Sequence, residues 1–194
     1  RSSRTISNIP TRIEVISGEE LGEKAAMNSS NIGMLLRETT GVHMQQTSLS
    51  SGNMSIRIQG LDGRYTQILK DGMPLYGGFA SGLSIMQIPP LDLQQVELIK
   101  GSNSTLYGGG AIAGLVNLVT IQPVDAPRLD LMLNQTTASG TTGNVFYAQK
   151  FGKAGFSVYG SANNQKAYDP DNDGFSNMPD AQTFSLNPKM YFYF

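Results

Sequence analysis

The stretch Asp169-Pro170-Asp171-Asn172-Asp173-Gly174-Phe175-Ser176-Asn177-Met178-Pro179-Asp180 is where residue type and spacing most plainly suggest chemistry. Carboxylates at alternate positions can converge on one hard cation while Gly174 makes the turn, and a carboxylate at the twelfth position can close the shell. The pattern offers Asp169, Asp171, Asp173 and Asp180 as candidate Ca2+ ligands. Three features count against it. The twelfth residue is Asp, shorter than the usual Glu; Pro179 stands just before it; and no helix signal flanks the loop. A solvated acidic turn between two strands explains the same residues.

Other chemistry is sparse. His43 is the single histidine and there is no cysteine, which excludes thiolate metal sites and a disulfide framework. No Ser/His/Asp or Cys/His constellation is apparent, so no enzyme is indicated and no tightly bound cofactor is expected. The stretch Val96-Glu97-Leu98-Ile99-Lys100-Gly101, ending at Leu115-Val116-Asn117-Leu118-Val119, holds five glycines between two apolar runs. A phosphate-cradling loop fails on detail, because there is no G-x-x-x-x-G-K-[ST] and no amphipathic helix follows. Close backbone approach between two buried strands is the better account, with a short helical turn around Ser104 to Tyr107.

The elements that must position these residues fall into two textures. Charged residues make up 15% of the 194 and the formal net charge is −1, which argues against a nucleic-acid partner. No run of about 18 apolar residues exists, so no membrane-spanning helix is expected. Residues 1–125 mix helix signals with short strands. Arg12 to Ile16 reads as a strand. Ser17 to Glu20 has capping-box spacing for a helix reaching about Met27. Ser30 reads as the N-cap of a second helix that ends at Gly41. Gln45 to Asn53 reads as a polar loop, Met54 to Ile58 and Thr66 to Lys70 as strands, and Tyr76 to Gln87 as a loop.

Residues 126–194 alternate apolar and polar residues with period two. Leu129, Leu131 and Leu133 open the pattern. Turns are expected at Ala138–Gly143 and Gly152–Gly155, and the long acidic loop spans Lys166 to Ala181. Phe184, Leu186, Pro188, Met190, Phe192 and Phe194 then share one face. Runs of this length suit tilted strands crossing a bilayer. Four strands cannot close a barrel, and an open edge is not stable in lipid, so further strands are expected after Phe194.

Three blocks, in this order, resemble the plug domain of TonB-dependent outer-membrane receptors. They are IPTRIEVISGEEL with IGMLLRETTGV, SIRIQGLDGRYTQILKDGMPLYGG, and VELIKGSNSTLYGGGAIAGLVNLVT, together covering roughly residues 9–121. The resemblance implies an α+β plug, a small mixed sheet with short helices, followed by the first antiparallel strands of a transmembrane β-barrel of 22 strands in the full protein. It divides the chain into a plug, 1–125, and the first four barrel strands, 126–194. It further implies active uptake of a scarce extracellular ligand across the bacterial outer membrane, most of all a metal chelate such as a siderophore, haem or a cobalamin. TonB would act from the periplasm through a segment expected just ahead of Arg1. Outer-membrane lipid surrounds the barrel, and a surface lipoprotein is a further partner such receptors can have.

The resemblance also carries residues. Family members lock plug to barrel with arginines ahead of the glycines of the second and third blocks. Those positions hold Gln59 and Lys100 here, with Arg57 two residues before Gln59, so a bidentate lock would become an amide or point-charge contact. Apical plug loops contact ligand in the family, which points to Gln45, Gln46, Ser48 and Asn53 in one loop and Tyr76, Phe79, Ser81 and Met86 in the other. Two competing readings stand beside this one: a soluble or surface calcium-binding β domain or adhesin, and a passive outer-membrane channel.

Overall fold

The computed structural model describes residues 12–27, 32–47, 54–75, 81–82, 88, 90–102, 109–178 and 180–194. Strand β1 (Arg12–Ser17) runs into helix α1 (Gly18–Met27), and helix α2 (Gly33–Arg37) precedes strand β2 (Val42–Gln46). Strands β3 (Met54–Ile58), β4 (Thr66–Lys70), β5 (Met73–Pro74), β6 (Ser81–Gly82), β7 (Leu93–Lys100) and β8 (Gly114–Thr120) complete the first part. They form a mixed five-stranded sheet of order β1-β7-β8-β4-β5 and a three-stranded sheet of order β2-β3-β6. Only β4 and β8 pair in parallel in the larger sheet. Its core includes Ile16, Ile68, Val96, Leu98, Val116 and Leu118, with Leu35 and Leu36 from α2. Val96, Leu98, Val116 and Leu118 are fully buried, and each such side chain stabilises the fold by about 1.5–3 kcal/mol.

The glycine-rich segment answers the packing question at one point. Gly114 has φ +157° and pairs with Lys100 across the β7–β8 ladder. A Cβ there would sit 2.5 Å from the Ile99 carbonyl oxygen and 3.1 Å from Ile58 Cδ1. Only glycine lets β8 start this close to β7 while the β3 side chain packs on top. Residues 104–107, where a short helical turn is expected, lie outside the described residues.

Strands β9 (Arg128–Gln135), β10 (Gly140–Phe151), β11 (Ala154–Gln165) and β12 (Ala181–Phe192) form an antiparallel meander. The three longer strands have 12 residues each. At ~3.3 Å per residue and a tilt near 45°, that length covers the ~25 Å apolar band of an outer-membrane barrel. One face carries Leu129, Leu131, Leu133, Phe184, Leu186, Met190 and Phe192, all exposed, with Leu133 at 88%. Phe146, Ala148 and Tyr159 on the other face are buried against Ile121 and Leu91 of the first part. The inward face is thus not purely polar. Where the plug presses on the wall, the wall turns apolar.

Several expectations need correction. Gln45 and Gln46 belong to β2, not to a loop; a polar sequence forms this strand because β3 supplies its ladder, from Val42↔Ile58 to Gln46↔Met54. The second helix starts later than Ser30 suggested: its N-cap is Ile32, with no side-chain cap bond, and its C-cap is Glu38. Gly140 and Gly155 lie in strands rather than turns. A Cβ on Gly155 would meet Pro123 Cγ at 2.9 Å, so this glycine marks where the linker crosses the sheet. Pro188 is carried inside β12, the outermost strand of its sheet.

Candidate functional site

The three-stranded sheet gathers part of the expected ligand surface. Gln45 pairs with Ser55, and Ser55 pairs with Ser81 on the far side, so one transverse row crosses three strands. Gln46 pairs with Met54, which pairs with Gly82. Gln45 is exposed and Ser55 is buried. Ser81, expected in a loop, thus lies in strand β6. Ser48, Asn53, Tyr76, Phe79 and Met86 lie outside the described residues.

The lock candidates occupy three different settings. Gln59 is exposed at φ +52° and its backbone N–H donates to Gly41 O at 2.9 Å. Arg57 is half-buried in β3, and its Nε is buried with no hydrogen-bond partner among the described residues. Lys100 is buried at the end of β7. Its Nζ donates to Glu14 Oε2 at 2.5 Å and to the Thr40 carbonyl. Both partners belong to the plug, so this cation ties β1 and the turn after α2 to β7.

Contacts between the plug and the strand wall come from elsewhere. Asp71, at φ +53° in the turn after β4, accepts from the Thr120 N–H at 2.8 Å and from the Thr120 hydroxyl. Lys189 of β12 donates to Asp71 Oδ2 at 2.6 Å and to Thr120 Oγ1 at 2.8 Å. Partial burial pushes the Asp71 pKa upward, but the Lys189 ammonium and the two Thr120 donors outweigh it and hold the carboxyl below its ordinary value. Nearby, Lys70 Nζ lies 2.9 Å from Asp92 Oδ2, and Asp92 is 3% exposed. At the β10–β11 turn, the Lys150 N–H donates to Val124 O at 2.9 Å and the Tyr193 hydroxyl to Pro123 O at 3.3 Å. Sequence reading missed the Asp71–Lys189 pair. The available signal was that Lys189 is the single charged residue between Ala181 and Phe194.

In the acidic loop, carboxylate oxygens of Asp169, Asp171 and Asp173 lie within 4.8 Å of one another. The Gly174 N–H donates to Asp169 Oδ2 at 3.1 Å and the Phe175 N–H to Asp173 Oδ1 at 2.7 Å. Asp169 Oδ1 is buried with no hydrogen-bond partner among the described residues. The Tyr168–Met178 bridge closes the loop. Asp180, beyond that bridge, is not part of the cluster.

A plug-like mixed sheet seated against one face of an antiparallel wall, with the other face apolar, defines a class of outer-membrane receptor. The family profile described as TonB-dependent Receptor Plug Domain matches residues 5–115. The chain belongs to this family, whose members are outer-membrane proteins. Among solved structures, it is similar to the ferric yersiniabactin uptake receptor FyuA from Yersinia pestis, at 21% identity and a TM-score of 0.70, over 97% of this chain and 29% of that one. The siderophore receptor PirA from Pseudomonas aeruginosa matches at 22% identity and a TM-score of 0.66, over 93% of this chain and 32% of that one. The pyoverdine outer membrane receptor FpvA from Pseudomonas aeruginosa matches at 16% identity and a TM-score of 0.69, over 84% of this chain and 23% of that one. The chain thus spans about a third or less of the receptors it matches, and the likeness shows the shared fold of plug and first strands.

Proposed function

We propose that this chain is the plug and first four barrel strands of a receptor that takes up an iron chelate across the outer membrane, driven by TonB. The observation that carries the reading is the wall itself. Its inner face is buried on a plug of the matching family, while its outer face leaves Leu129, Leu131, Leu133, Phe184, Leu186, Met190 and Phe192 exposed. Lipid accommodates such a face; in water it would be an aggregating patch. The same face argues against the soluble calcium-binding domain or adhesin. The solved receptors of similar fold are described as a ferric yersiniabactin uptake receptor, a siderophore receptor and a pyoverdine receptor, which favours a ferric siderophore over haem or cobalamin. The barrel of the full protein would have 22 strands, with residues 1–125 as plug and 126–194 as the first four. TonB would engage the periplasmic side. Ligand recognition would use the end of the three-stranded sheet where Gln45, Gln46 and Ser81 lie, with its two loops.

Equilibrium binding tests the ligand class. The full-length receptor in detergent is titrated with ferric siderophores of catecholate, hydroxamate and mixed type, with haem and with cobalamin. Saturable binding of at least one ferric siderophore is expected. Binding confined to haem or cobalamin would overturn the siderophore assignment.

The acidic loop lies at the end of the wall opposite the Gly152-Lys153 turn, which is the extracellular end if β9 rises from the periplasm. Within the same reading, Asp169, Asp171 and Asp173 would take Ca2+ there and order the loop, with the orphaned Asp169 oxygen as a ligand atom. Asp171→Ala with Asp173→Ala should abolish calcium binding by the intact receptor. Unchanged affinity refutes the site.

A further inference from the structure

The turn after β4 is fastened to the plug more firmly than a tight turn requires. Asp71 is bound to Thr120 through both its backbone N–H and its hydroxyl. The next residue, Gly72, donates its N–H to Asn117 Oδ1 at 3.1 Å. Asn117 Nδ2 in turn donates to Glu97 Oε2 at 2.8 Å. From the other side, Lys70 is held by the buried Asp92. The turn is therefore a rigid platform spanning β4, β8 and β7, and the group it presents outward is the Asp71 carboxylate.

A lysine of the wall meets that carboxylate. Lys189 stands on the inner face of β12, opposite Ser157 of β11 and three register pairs from the end of the β11–β12 ladder at Ala154↔Phe192. A charged residue in a membrane-spanning strand is costly without a partner, and such residues face the interior and mark function. Lys189 has two partners, Asp71 and Thr120, and both are in the plug, 118 and 69 residues away in sequence. The Thr120 hydroxyl gives its proton to Asp71 and accepts one from Lys189, so the three side chains close a ring of charge-assisted bonds. These are roughly twice as strong as neutral ones.

Resting on the receptor reading above, we propose that Asp71 and Lys189, with Thr120 as shared partner, form a latch that holds the plug seated against barrel strand four in the resting receptor. The plug then cannot slide along this wall without breaking the ring. Lys100, expected from sequence as a lock residue, spends its charge inside the plug; among the described residues, the latch is the one ion pair between the turn after β4 and the wall, while Lys150 of β10 and Asp125, 3.8 Å apart, form a more open pair at the linker after β8.

The test is the resting conductance of the full-length receptor in planar lipid bilayers at about 0.1 M salt, where ion pairs are only partly screened. Five proteins are compared with wild type: Lys189→Met, Lys189→Arg, Asp71→Asn with and without Lys189→Met, and a receptor lacking the plug. Lys189→Met leaves the Asp71–Thr120 bonds in place, so the plug's own fold is spared. It should raise resting leak about 5- to 30-fold, while Lys189→Arg stays near wild type. In the Asp71→Asn background, Lys189→Met should add much less, because the ion pair is already gone and the Thr120 bond is what remains to lose. Wild-type leak from Lys189→Met, in an assay where the plug-less receptor conducts freely, would overturn the latch and leave the receptor reading standing. An undiminished effect in the Asp71→Asn background would overturn it as well. A plug-less receptor that does not conduct would overturn the barrel reading, and the latch with it.

Discussion

Replacing Gly114 with alanine tests the packing logic of the plug most sharply. The backbone there has φ +157°, and the added Cβ would lie 2.5 Å from the Ile99 carbonyl oxygen. The obstructing atom is backbone of a strand paired on both sides, with β1 and with β8, so it cannot swing aside as a long side chain would. Ile58 Cδ1, at 3.1 Å, blocks a second direction. A conformation reserved for glycine costs about 1–3 kcal/mol, and a methyl forced into a filled core costs about 1–3 kcal/mol more. Hydrogen exchange on the full-length receptor reads the consequence. The amides of Leu115, Val116 and Leu118 should exchange at least about 30-fold faster, the factor for the lower end of ~2 kcal/mol. Gly22→Ala is the opposing control. Gly22 lies in α1 with no heavy atom within 4 Å of its would-be Cβ, so alanine should stabilise the helix by about 0.5–1 kcal/mol and slow exchange there. Unchanged protection in β8 of Gly114→Ala would refute the close-approach argument.

Three further outcomes follow from the same geometry. Glu14→Gln removes the counter-charge of the buried Lys100 ammonium and leaves it neutral oxygens alone as acceptors, and should cost about 1–3 kcal/mol, discounted because Glu14 is 37% exposed; Lys100→Met, which removes the buried charge and strands a part-exposed carboxylate and the Thr40 carbonyl, should cost less, and exchange rates across β1 would show the asymmetry or disprove it. Phe146→Ala removes the main apolar contact across the seam between plug and wall and should cost about 3–5 kcal/mol, seen as faster exchange at Ile121; an unaltered rate contradicts the seam. The Asp71 carboxyl titrates below its ordinary value in the folded state, so its contribution is complete above the unfolded carboxylate pKa of ~3.9 and is lost as pH falls through the lower folded value. Resting leak should therefore stay flat from neutral pH down to about 4 and rise only below it, whereas a rise above pH ~5 would show that Asp71 is not held as described.

Much of the architecture was legible because period-two patterning survives in the wall and because turn chemistry punctuates the plug. Leu129, Leu131 and Leu133 announced β9, and Ser17 to Glu20 announced α1. What was hidden is non-local. Val42 to Gln46 is polar at its end and becomes a strand only because β3 pairs with it. Gly140 and Gly155 resemble turn residues in sequence, yet each sits in a ladder where a neighbour comes too close for a side chain. The acidic spacing found three converging aspartates, but no spacing rule could show that the Tyr168–Met178 bridge leaves Asp180 outside the cluster. Lys100 was found as a special cation, while its partner, 86 residues away, was not. Asp71 looked like a plain tight turn until β12 brought Lys189 to it.

The most direct test of the central claim is uptake of a radiolabelled ferric siderophore by cells that carry this receptor as their route for that chelate, with TonB present and with TonB deleted. Uptake that falls to background without TonB, while surface binding persists, is the predicted result. Uptake that continues unchanged without TonB would contradict the account.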